Sequence, residues 1–383
     1  MKKFVALAMA GAMALSMAAC GGSSTPATTT AADTTAAPAA TTTAAADAET
    51  TTKADTAEST KAADAASFDN LDPIELKGAD SAGVGSAGQL LGEAVAKNLE
   101  EITGGKITVT YFPNSEMGGD NDIQQQMLDG TLDYIVLQTA PSVSFVPEAA
   151  VFDLPMVFAK YDGDKIDEAL NGEDSAFRQA IAAKYAEHNY KLLGYLQNAT
   201  YRLTTSNVKL DTIDAFKGLQ IRTMENANHM AFWKALGAAP TPLAWPEVYI
   251  SLQNGTIAAQ ENAADTCASA NFQEVQKYLN FTNHILYLNQ IVMNNDKFES
   301  LDPAYQAAIE KAVAMSLDEI APTLEKLDAD SKAKLKEGGM EMVEYEDSFY
   351  DQVLALDGVV QLYKDIDAAV GGLGTILQES LAK

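Results

Sequence analysis

Residues 21–66 contain no aromatic residue and no Val, Ile, Leu or Met. They consist of Ala, Thr, Ser, Gly and Pro with a few Asp and Glu and two Lys. Such a segment cannot bury enough apolar surface to offset the entropy lost on ordering, so residues 20–66 are predicted to form a disordered tether. The folded part must then lie in residues 67–383, which is long enough for two lobes.

Residues 1–19 are predicted to be an export signal. Lys2 and Lys3 precede an apolar run from Phe4 to Leu15, and small residues lead to Cys20. The run is too short to span a bilayer as a mature helix. The pattern resembles a bacterial lipoprotein signal, which implies that Cys20 carries a lipid anchor. An ordinary secretory signal with an incidental cysteine is the alternative.

The chain is acidic, with 53 Asp and Glu against 26 Lys and Arg and a formal charge of −27. Nucleic-acid binding needs a basic face, so no nucleic-acid partner is expected. The chain has 2 cysteines. If one carries a lipid, the other, Cys267, has no partner for a disulfide and is predicted to be a small core residue.

Strand and helix patterns alternate at the start of the folded part. The predicted elements are a strand at Asp72–Ala79, a helix ending at Glu101, a strand at Lys106–Phe112, a helix at Asn121–Leu128 and a strand at Leu132–Gln138. This order favours a mainly parallel sheet with helices on both faces.

The turn Gly83–Gly88 has the G-x-G-x-x-G spacing. A dinucleotide site is not expected there, because an exported chain does not meet a nicotinamide pool, and no other cofactor is expected. The turn is instead predicted to present backbone N–H groups, with Ser81 or Ser86, to a ligand.

Three longer segments follow. Phe145–Phe158 is apolar with two prolines and is predicted to be a buried, irregular crossing segment. Pro303–Glu337 has a long helical pattern with a possible bend at Pro322, and Asp347–Ala369 is predicted to be a final helical portion.

Arginine is rare, occurring only at Arg178, Arg202 and Arg222 among 26 basic residues. Because the chain mostly uses lysine, an arginine indicates a position that needs the planar guanidinium group. This group can form two parallel hydrogen bonds to a carboxylate. Arg222 ends the predicted strand Leu219–Arg222, at the edge where ligands bind in open α/β sheets. A structural ion pair is the alternative for Arg222 and for Arg202, and Arg178 is predicted to lie on the surface.

Two further side chains near these arginines are candidate ligand contacts. Trp245 precedes Pro246 at a predicted helix start, so its indole could cover the apolar face of a ligand or serve as a core or hinge aromatic. Asn262 follows a short strand and offers both a donor and an acceptor. Trp233 is predicted to be a core residue.

Catalytic signatures are lacking. His188, His229 and His284 show no metal-binding spacing, so each is predicted to be structural or exposed, and no metal site is expected. The sequence has no G-x-S-x-G elbow, H-E-x-x-H motif or Walker loop. The chain is therefore predicted not to be an enzyme.

A family resemblance covers roughly residues 73–345. The segments that carry it are Gly105–Ile107, Leu128–Asp133, Pro147–Pro155, Phe216–Arg222, Leu236–Tyr249, Leu252–Ile257, Gln260–Asn262, Phe272–Leu279 and Thr282–His284. In these segments the chain resembles the solute-binding proteins of TRAP (tripartite ATP-independent periplasmic) transporters, of the dicarboxylate-binding DctP type.

The resemblance implies an α/β fold like that of periplasmic binding proteins, with a ligand cleft between two lobes and a long helix spanning both. It places residues 67–199 and 288–327 in lobe I, and residues 200–287 and 328–383 in lobe II. On this pattern Arg222 is similar to the arginine that pairs with the ligand carboxylate, and Arg202 to a second arginine at the cleft.

The same pattern makes Asn262 similar to an amide that contacts the ligand, and Trp245 to an aromatic packed on it. Where sialic-acid-binding members carry a glutamate and, three residues on, an arginine, this chain has Gln138 and Pro141. Sialic acid is therefore not the expected ligand, and Gln138 becomes a candidate specificity residue together with Ser81.

The predicted function is that of an extracytoplasmic, membrane-anchored receptor that captures a small organic acid, a C4-dicarboxylate or a sugar acid, for the TRAP membrane subunits. Closure around the acid would present the receptor to those subunits. A ligand-sensing receptor for a membrane kinase is the alternative, and an exported hydrolase is a more distant one.

Overall fold

The computed structural model describes residues 68–197 and 200–383. The predicted signal at residues 1–19, Cys20 and the tether lie outside the described residues. Within the described part of the chain, no helix has the length and apolar composition that crossing a membrane requires.

Eleven strands form two sheets in the described residues. In chain order they are β1 (Ile74–Asp80), β2 (Ile107–Phe112), β3 (Tyr134–Gln138), β4 (Tyr190–Leu196), β5 (Leu203–Ser206), β6 (Gln220–Thr223), β7 (Ala239–Pro242), β8 (Ala259–Asn262), β9 (Tyr278–Asn280), β10 (Asn289–Asn294) and β11 (Glu341–Val343). The first sheet has the order β2-β1-β3-β10-β4, and the second β11-β9-β5-β8-β6-β7.

The helices cover both sheets. They are α1 (Ala87–Thr103), α2 (Asp120–Leu128), α3 (Thr139–Ser142), α4 (Gly163–Asn171), α5 (Ala176–Glu187), α6 (Ala227–Ala235), α7 (Val248–Gln253), α8 (Ala264–Ser269), α9 (Asn295–Ser300), α10 (Pro303–Glu337), α11 (Asp347–Leu354), α12 (Asp357–Ala369) and α13 (Leu373–Leu381). We call the first sheet with its helices the first lobe and the second sheet with its helices the second lobe. The predicted two-lobe α/β fold is confirmed.

The first sheet is mixed, whereas a mainly parallel one was predicted. Strands β1, β2 and β3 are parallel, as the β-α-β-α-β order indicates. Strand β10 then inserts antiparallel between β3 and β4, because the chain enters it on its return from the second lobe. Sequence order alone does not reveal such a returning strand.

The 35-residue helix α10 is continuous through Pro322 and joins the two lobes. It packs against α1 and β4 in the first lobe and against α8 in the second. This arrangement agrees with the predicted spanning helix.

The helical portion predicted at Asp347–Ala369 consists of two helices, α11 and α12, and a third helix, α13, follows it. Helix α12 packs against α6 of the second lobe, but α13 packs against α4 and α5 of the first. The last helix therefore contacts the first lobe, although residues 328–383 were predicted to belong to lobe II. The exact lobe boundaries stay a prediction.

One buried carboxylate organises the loop that leads from β1 to the cleft. Asp80 accepts hydrogen bonds from the backbone N–H groups of Ala82 and Asn114, both at 2.9 Å, and from the hydroxyl of Tyr111 at 2.7 Å. Helix α1 comes so close to Tyr111 that a Cβ atom on Gly92 would lie 1.8 Å from the Tyr111 hydroxyl oxygen. A side chain at position 92 would therefore displace Tyr111 from Asp80.

We expect Gly92→Ala to destabilise the chain by about 1–3 kcal/mol, because the added methyl group displaces Tyr111 from Asp80. Helix propensity alone would give the opposite sign, a gain of about 0.5–1 kcal/mol. Urea unfolding of the full chain measures the change. In a Tyr111→Ala background, where the space is free, the same substitution should be neutral or stabilising; a gain in stability with Tyr111 present would contradict this packing.

Candidate ligand cleft

A cavity lies between the two lobes and brings together residues from distant parts of the chain. Its lining comprises Ser81, Ala82, Asp120, Val136, Leu137, Gln138, Pro141, Arg222, Met224, Trp245, Asn262, Thr266, Tyr287 and Asn289. Five of the six predicted binding residues are therefore on its wall, and the sixth, Arg202, lies behind it.

Arg222 is held in place through one edge of its guanidinium group. It lies in β6 next to the buried Ile221, and only 2% of its surface is exposed. Its Nε donates to the carbonyl oxygen of Leu243 at 2.8 Å, and the guanidinium lies 5.8 Å from the ring centroid of Trp245. Among the described residues, Nη1 and Nη2 have no hydrogen-bond acceptor, so this edge is available to a ligand.

Burial lowers the pKa of Arg222 to about 10, against the attraction of Glu261 and Asp120. The side chain therefore remains a cation at neutral pH. A buried cation with unpaired N–H groups favours a bound anion.

Arg202 has a different environment, although it is equally buried. Its Nε forms a buried ion pair with Glu261, its Nη1 donates to Gln138, and its Nη2 donates to the carbonyl oxygen of Glu261 at 3.1 Å and to Asn262 Oδ1 at 3.4 Å. The guanidinium is thus engaged on all three nitrogens by protein acceptors. Arg202 therefore forms a structural ion pair, which was the alternative considered for it from the sequence.

Gln138 and Asn262 form the polar floor of the cavity. Gln138 Nε2 donates to the hydroxyl of Tyr287 at 2.9 Å and to Asn262 Oδ1 at 3.4 Å. The Tyr287 hydroxyl in turn lies 2.6 Å from Thr266 Oγ1. The floor is therefore a connected hydrogen-bond network that crosses from the first lobe to the second.

Ser81 lies on the wall, but its hydroxyl donates to a carboxylate, Asp120 Oδ1. Asp120 is a cavity residue that the sequence did not identify, because one acidic side chain among 53 gives no signal. Burial raises its pKa, and the Ser81 hydrogen bond and the charge of Arg222 oppose that rise. The cavity thus holds an acceptor for a ligand hydroxyl beside its cation.

Trp233 and Trp245 differ in burial, as predicted, but Trp245 also packs against a core residue. Trp245 is half-buried, begins a short 3₁₀ turn with Pro246 and packs against Phe272 at 5.8 Å between ring centroids. Trp233 is fully buried in the core. Trp245 therefore borders the cavity and the core at once, which combines the two alternatives considered for it.

Two histidines that the sequence treated separately meet in one buried cluster behind the cavity. Glu261 accepts from His284 Nε2 at 3.2 Å through the oxygen that also pairs with Arg202, and its other oxygen lies 3.2 Å from His229 Nδ1. His229 Nε2 lies 3.1 Å from Asp153 Oδ1. We call Asp153, Arg202, His229, Glu261 and His284 the charge cluster.

Three residues of the charge cluster, His229, Glu261 and His284, place possible metal-ligating atoms within 4.8 Å of one another. Both ring nitrogens of His229 face carboxylate oxygens, however, so this imidazole has no free lone pair to offer a metal ion. The hydrogen-bond geometry is that of an ion-pair network and not that of a coordination site.

The pKa values in the charge cluster follow from these contacts. Burial opposes protonation of His229, but Glu261 and Asp153 outweigh it and raise the His229 pKa to about 9. Burial alone would raise the pKa of Glu261, yet Arg202 and His229 hold it well below its usual range. Burial lowers the pKa of His284, so this imidazole is neutral.

The lobes touch across the cleft. Asn226 Nδ2 donates to the carbonyl oxygen of Ala140 at 2.9 Å, and the N–H of Ala87 donates to Asp265 Oδ2 at 3.0 Å. The cavity has a volume of about 20 Å³, and a second cavity of about 280 Å³ shares Arg222 and Trp245 with it. The inner space suits roughly one water molecule, so a larger ligand enters only when the lobes separate or side chains move.

The remaining predicted residues are placed as follows. Cys267 is a free, fully buried thiol, and burial raises its pKa to about 12, which fits an inert core residue. Arg178 is half-buried and donates to the carbonyl oxygens of Leu192 and Leu193 at 3.1 and 3.2 Å. The prediction of a surface position for Arg178 was therefore incomplete, because its guanidinium binds two backbone carbonyl oxygens of β4.

Comparison with known proteins gives the family. The model of the DctP family, described as "Bacterial extracellular solute-binding protein, family 7", matches residues 85–354. The chain is 29% identical over 297 residues to the sialic acid-binding periplasmic protein SiaP of Vibrio cholerae, covering 77% of this chain and 89% of that protein. It is 30% identical over 249 residues to the 2,3-diketo-L-gulonate-binding periplasmic protein YiaO of Escherichia coli, covering 64% and 73%.

A solved structure shows the same architecture. The TRAP periplasmic solute-binding protein of Sulfitobacter sp. NAS-14.1 with bound β-D-galacturonate superimposes with a TM-score of 0.73 at 25% identity, covering 81% of this chain and all of that one (100%). The match spans both lobes and the helix that joins them. The chain therefore belongs to the DctP family, the solute-binding proteins of TRAP transporters, which bind their substrates and do not convert them.

Proposed function

We propose that this chain captures a small organic acid by pairing the ligand carboxylate with the free edge of Arg222. The observation that carries the proposal is the contrast between two buried arginines. Arg202 has protein acceptors on all three nitrogens, whereas Arg222, which lines the cavity, has one backbone acceptor on Nε and none on its Nη atoms among the described residues. A planar fork without partners matches a carboxylate in geometry and charge.

In this proposal Arg202 is a support for the cleft. It holds Gln138 and Asn262, and these two amides then present fixed polar groups to the ligand. Trp245 covers the guanidinium of Arg222 on one side and offers its ring face to the carbon skeleton of the acid. Ser81 acts through Asp120.

A hydroxylated acid fits this wall better than a plain dicarboxylate. Besides Arg222, the wall offers the acceptor Asp120 and the hydroxyls of Thr266 and Tyr287. Hydroxyl groups of a sugar acid would find both donors and acceptors there, whereas a second ligand carboxylate would meet Asp120 and be repelled if Asp120 is ionised. The relative YiaO is named for 2,3-diketo-L-gulonate, and the Sulfitobacter protein was solved with β-D-galacturonate bound; both ligands are acids of this kind.

The proposal includes delivery to a TRAP transporter and a lipid anchor. Family membership implies the membrane subunits as partners, and Cys20 with the tether would keep the receptor at the outer face of the membrane. A diacyl anchor holds a protein at the surface by burying acyl methylenes, at about 0.8 kcal/mol for each.

We expect a thermal-shift screen of the full chain to identify a sugar acid. The panel is succinate, galactonate, D-glucuronate, D-galacturonate and sialic acid. A tight acid raises the melting temperature by mass action, and we expect the largest shift from a sugar acid and none from sialic acid, because Gln138 and Pro141 replace the charged pair of the sialic-acid binders. A shift from sialic acid would contradict the role given to Gln138.

We expect Arg222→Lys to weaken binding of the best acid of this panel by roughly 10- to 100-fold, because an ammonium group cannot make two parallel hydrogen bonds to a carboxylate. Calorimetry measures the dissociation constant. Arg178→Lys is the matched control, since Arg178 is also withdrawn from solvent but binds backbone carbonyls outside the cleft. Equal affinities of Arg222→Lys and the unsubstituted chain would remove Arg222 from the site.

We expect Cys20→Ser to release the receptor from the membrane fraction of the expressing cells, because the hydroxyl group cannot take the lipid thioether. Fractionation followed by immunoblotting measures the distribution. Cys267→Ser is the control and should stay with the membrane. Membrane association that persists in Cys20→Ser would exclude the lipid anchor.

A further inference from the structure

We propose that His229 is a positioning residue for the cleft: it bridges Asp153 and Glu261 as a double donor and thereby fixes Glu261, which in turn fixes Arg202 and the amides that Arg202 holds. His229 does not line the cavity. The binding part of this inference rests on the proposed function, and the protonation part does not.

Continuous hydrogen bonds run from His229 to the cavity wall. His229 Nδ1 contacts Glu261 Oε1 at 3.2 Å, and Glu261 Oε2 pairs with Arg202 Nε. Arg202 Nη1 donates to Gln138, whose Nε2 reaches the hydroxyl of Tyr287 at 2.9 Å. A shift of the Glu261 carboxylate therefore displaces Gln138, a wall residue, through one intermediate side chain.

The other end of the network is anchored in a separate segment. Asp153 ends the 3₁₀ segment Pro147–Asp153, which lies within the predicted crossing segment Phe145–Phe158. Its Oδ2 accepts from Asn226 Nδ2 at 2.8 Å and from Asn228 Nδ2 at 2.9 Å, so the carboxylate cannot rotate away from His229. His229 is thus held between the crossing segment and strand β8.

The contacts also determine the protons on both histidines. An ionised carboxylate only accepts hydrogen bonds, and a neutral imidazole has a single donor. Because both nitrogens of His229 face carboxylates, His229 must donate from both and carry a positive charge. His284 needs one donor, toward Glu261, and its Nδ1 lies 3.1 Å from the hydroxyl oxygen of Thr282, which can donate to it, so a neutral His284 satisfies both contacts.

Charge balance in the charge cluster depends on this proton. The groups that face His229 are Asp153, Glu261 and the neutral His284, and Arg202 lies beyond Glu261. With His229 protonated, two carboxylates face two cations. Without its charge, one buried carboxylate would lack compensation, which is strongly destabilising for a buried group and would free Glu261 to take a proton or to move.

The first test observes the ring nitrogens directly. The chain has only three histidines, so ¹⁵N-histidine labelling of the full chain gives three pairs of ring-nitrogen signals. His188→Gln removes the partly exposed one, which contacts a single carboxylate, Glu148. At pH 7.5 we expect one doubly protonated ring, assigned to His229 by its loss in His229→Gln, and one neutral ring protonated on Nε2. A neutral His229 at this pH would overturn the proposal.

The second test uses charge-neutral replacement. In the double variant, His229→Gln with Asp153→Asn, the new amide at position 153 can donate to the side-chain carbonyl at position 229. The side-chain NH₂ at position 229 can then donate to Glu261, so every polar atom keeps a partner and the charge stays balanced. His229→Gln alone leaves one negative charge in excess. The binding probe for all variants is the panel acid that binds the unsubstituted chain.

We expect His229→Gln to weaken binding of that probe about tenfold or more by calorimetry, and the double variant to return to within about threefold of the unsubstituted chain. A folded His229→Gln with unchanged affinity, or a double variant as weak as the single one, would overturn the proposal. If His229→Gln does not fold, the double variant and the ring-nitrogen spectra still decide. If no panel acid binds the unsubstituted chain, the function proposed above fails while the ring-nitrogen result stands.

The pH dependence gives a third, independent measurement. The His229 pKa is about 9 in the folded chain against 6.5 for an ordinary imidazole. A raised pKa contributes stability that is complete below pH 6.5 and is lost as the pH rises through 9. We expect the melting temperature to fall across this window, and to fall less in the double variant, where no imidazole titrates at position 229. Equal slopes in both proteins would contradict the assignment.

Discussion

The ion pair between Arg202 and Glu261 is the interaction on which the cleft depends. Both side chains are almost completely buried, 2% and 0% exposed, so their desolvation costs several kcal/mol for each ion. Such a pair is favourable only when every remaining donor and acceptor is satisfied. Here Gln138, Asn262 and the two histidines do this, and the same hydrogen bonds fix the polar floor of the cavity. The same hydrogen bonds therefore stabilise the buried ion pair and fix the side chains that line the cavity.

The two cleft arginines show that residue type alone does not decide a role. Arg202 and Arg222 are equally buried, but Arg202 immediately precedes β5, which pairs with β8, the strand that carries Glu261. Arg222 lies in β6, where Gln260 is its partner on β8 and supplies no carboxylate. The register of one strand against its neighbours therefore makes the first arginine a support and leaves the second with unpaired N–H groups.

Much of this arrangement could be predicted from the sequence. The scarcity of arginine singled out Arg178, Arg202 and Arg222, and only Arg222 ended a predicted strand, which placed it at the edge where ligands bind. The observed strand β6 runs one residue further, to Thr223. The role of Glu261 could not be predicted, because it depends on His229, His284 and Arg202, which the strand order brings together from separate segments. The position of Asp120 in the cavity was not predicted for a similar reason. In an acidic chain, one carboxylate whose partner is a distant serine has no recognisable sequence pattern. The antiparallel position of β10 between β3 and β4 was not predicted, because these two neighbours precede it by more than ninety residues in the sequence.

The contacts between the lobes have a strength that suits reversible closure. Helix α1 has no side-chain cap of its own, and its first N–H donates instead to Asp265 of the second lobe. The bonds from Asn226 to Ala140 and from Ser144 to Glu225 are also polar contacts between lobes. Each such bond contributes about 0.5–1.5 kcal/mol, or somewhat more with a charged partner. Their sum is comparable to the few kcal/mol by which a ligand shifts a two-state equilibrium. On the proposed function, a ligand that bridges Arg222 and the floor of the cavity would add to these polar contacts and so favour the closed arrangement of the lobes.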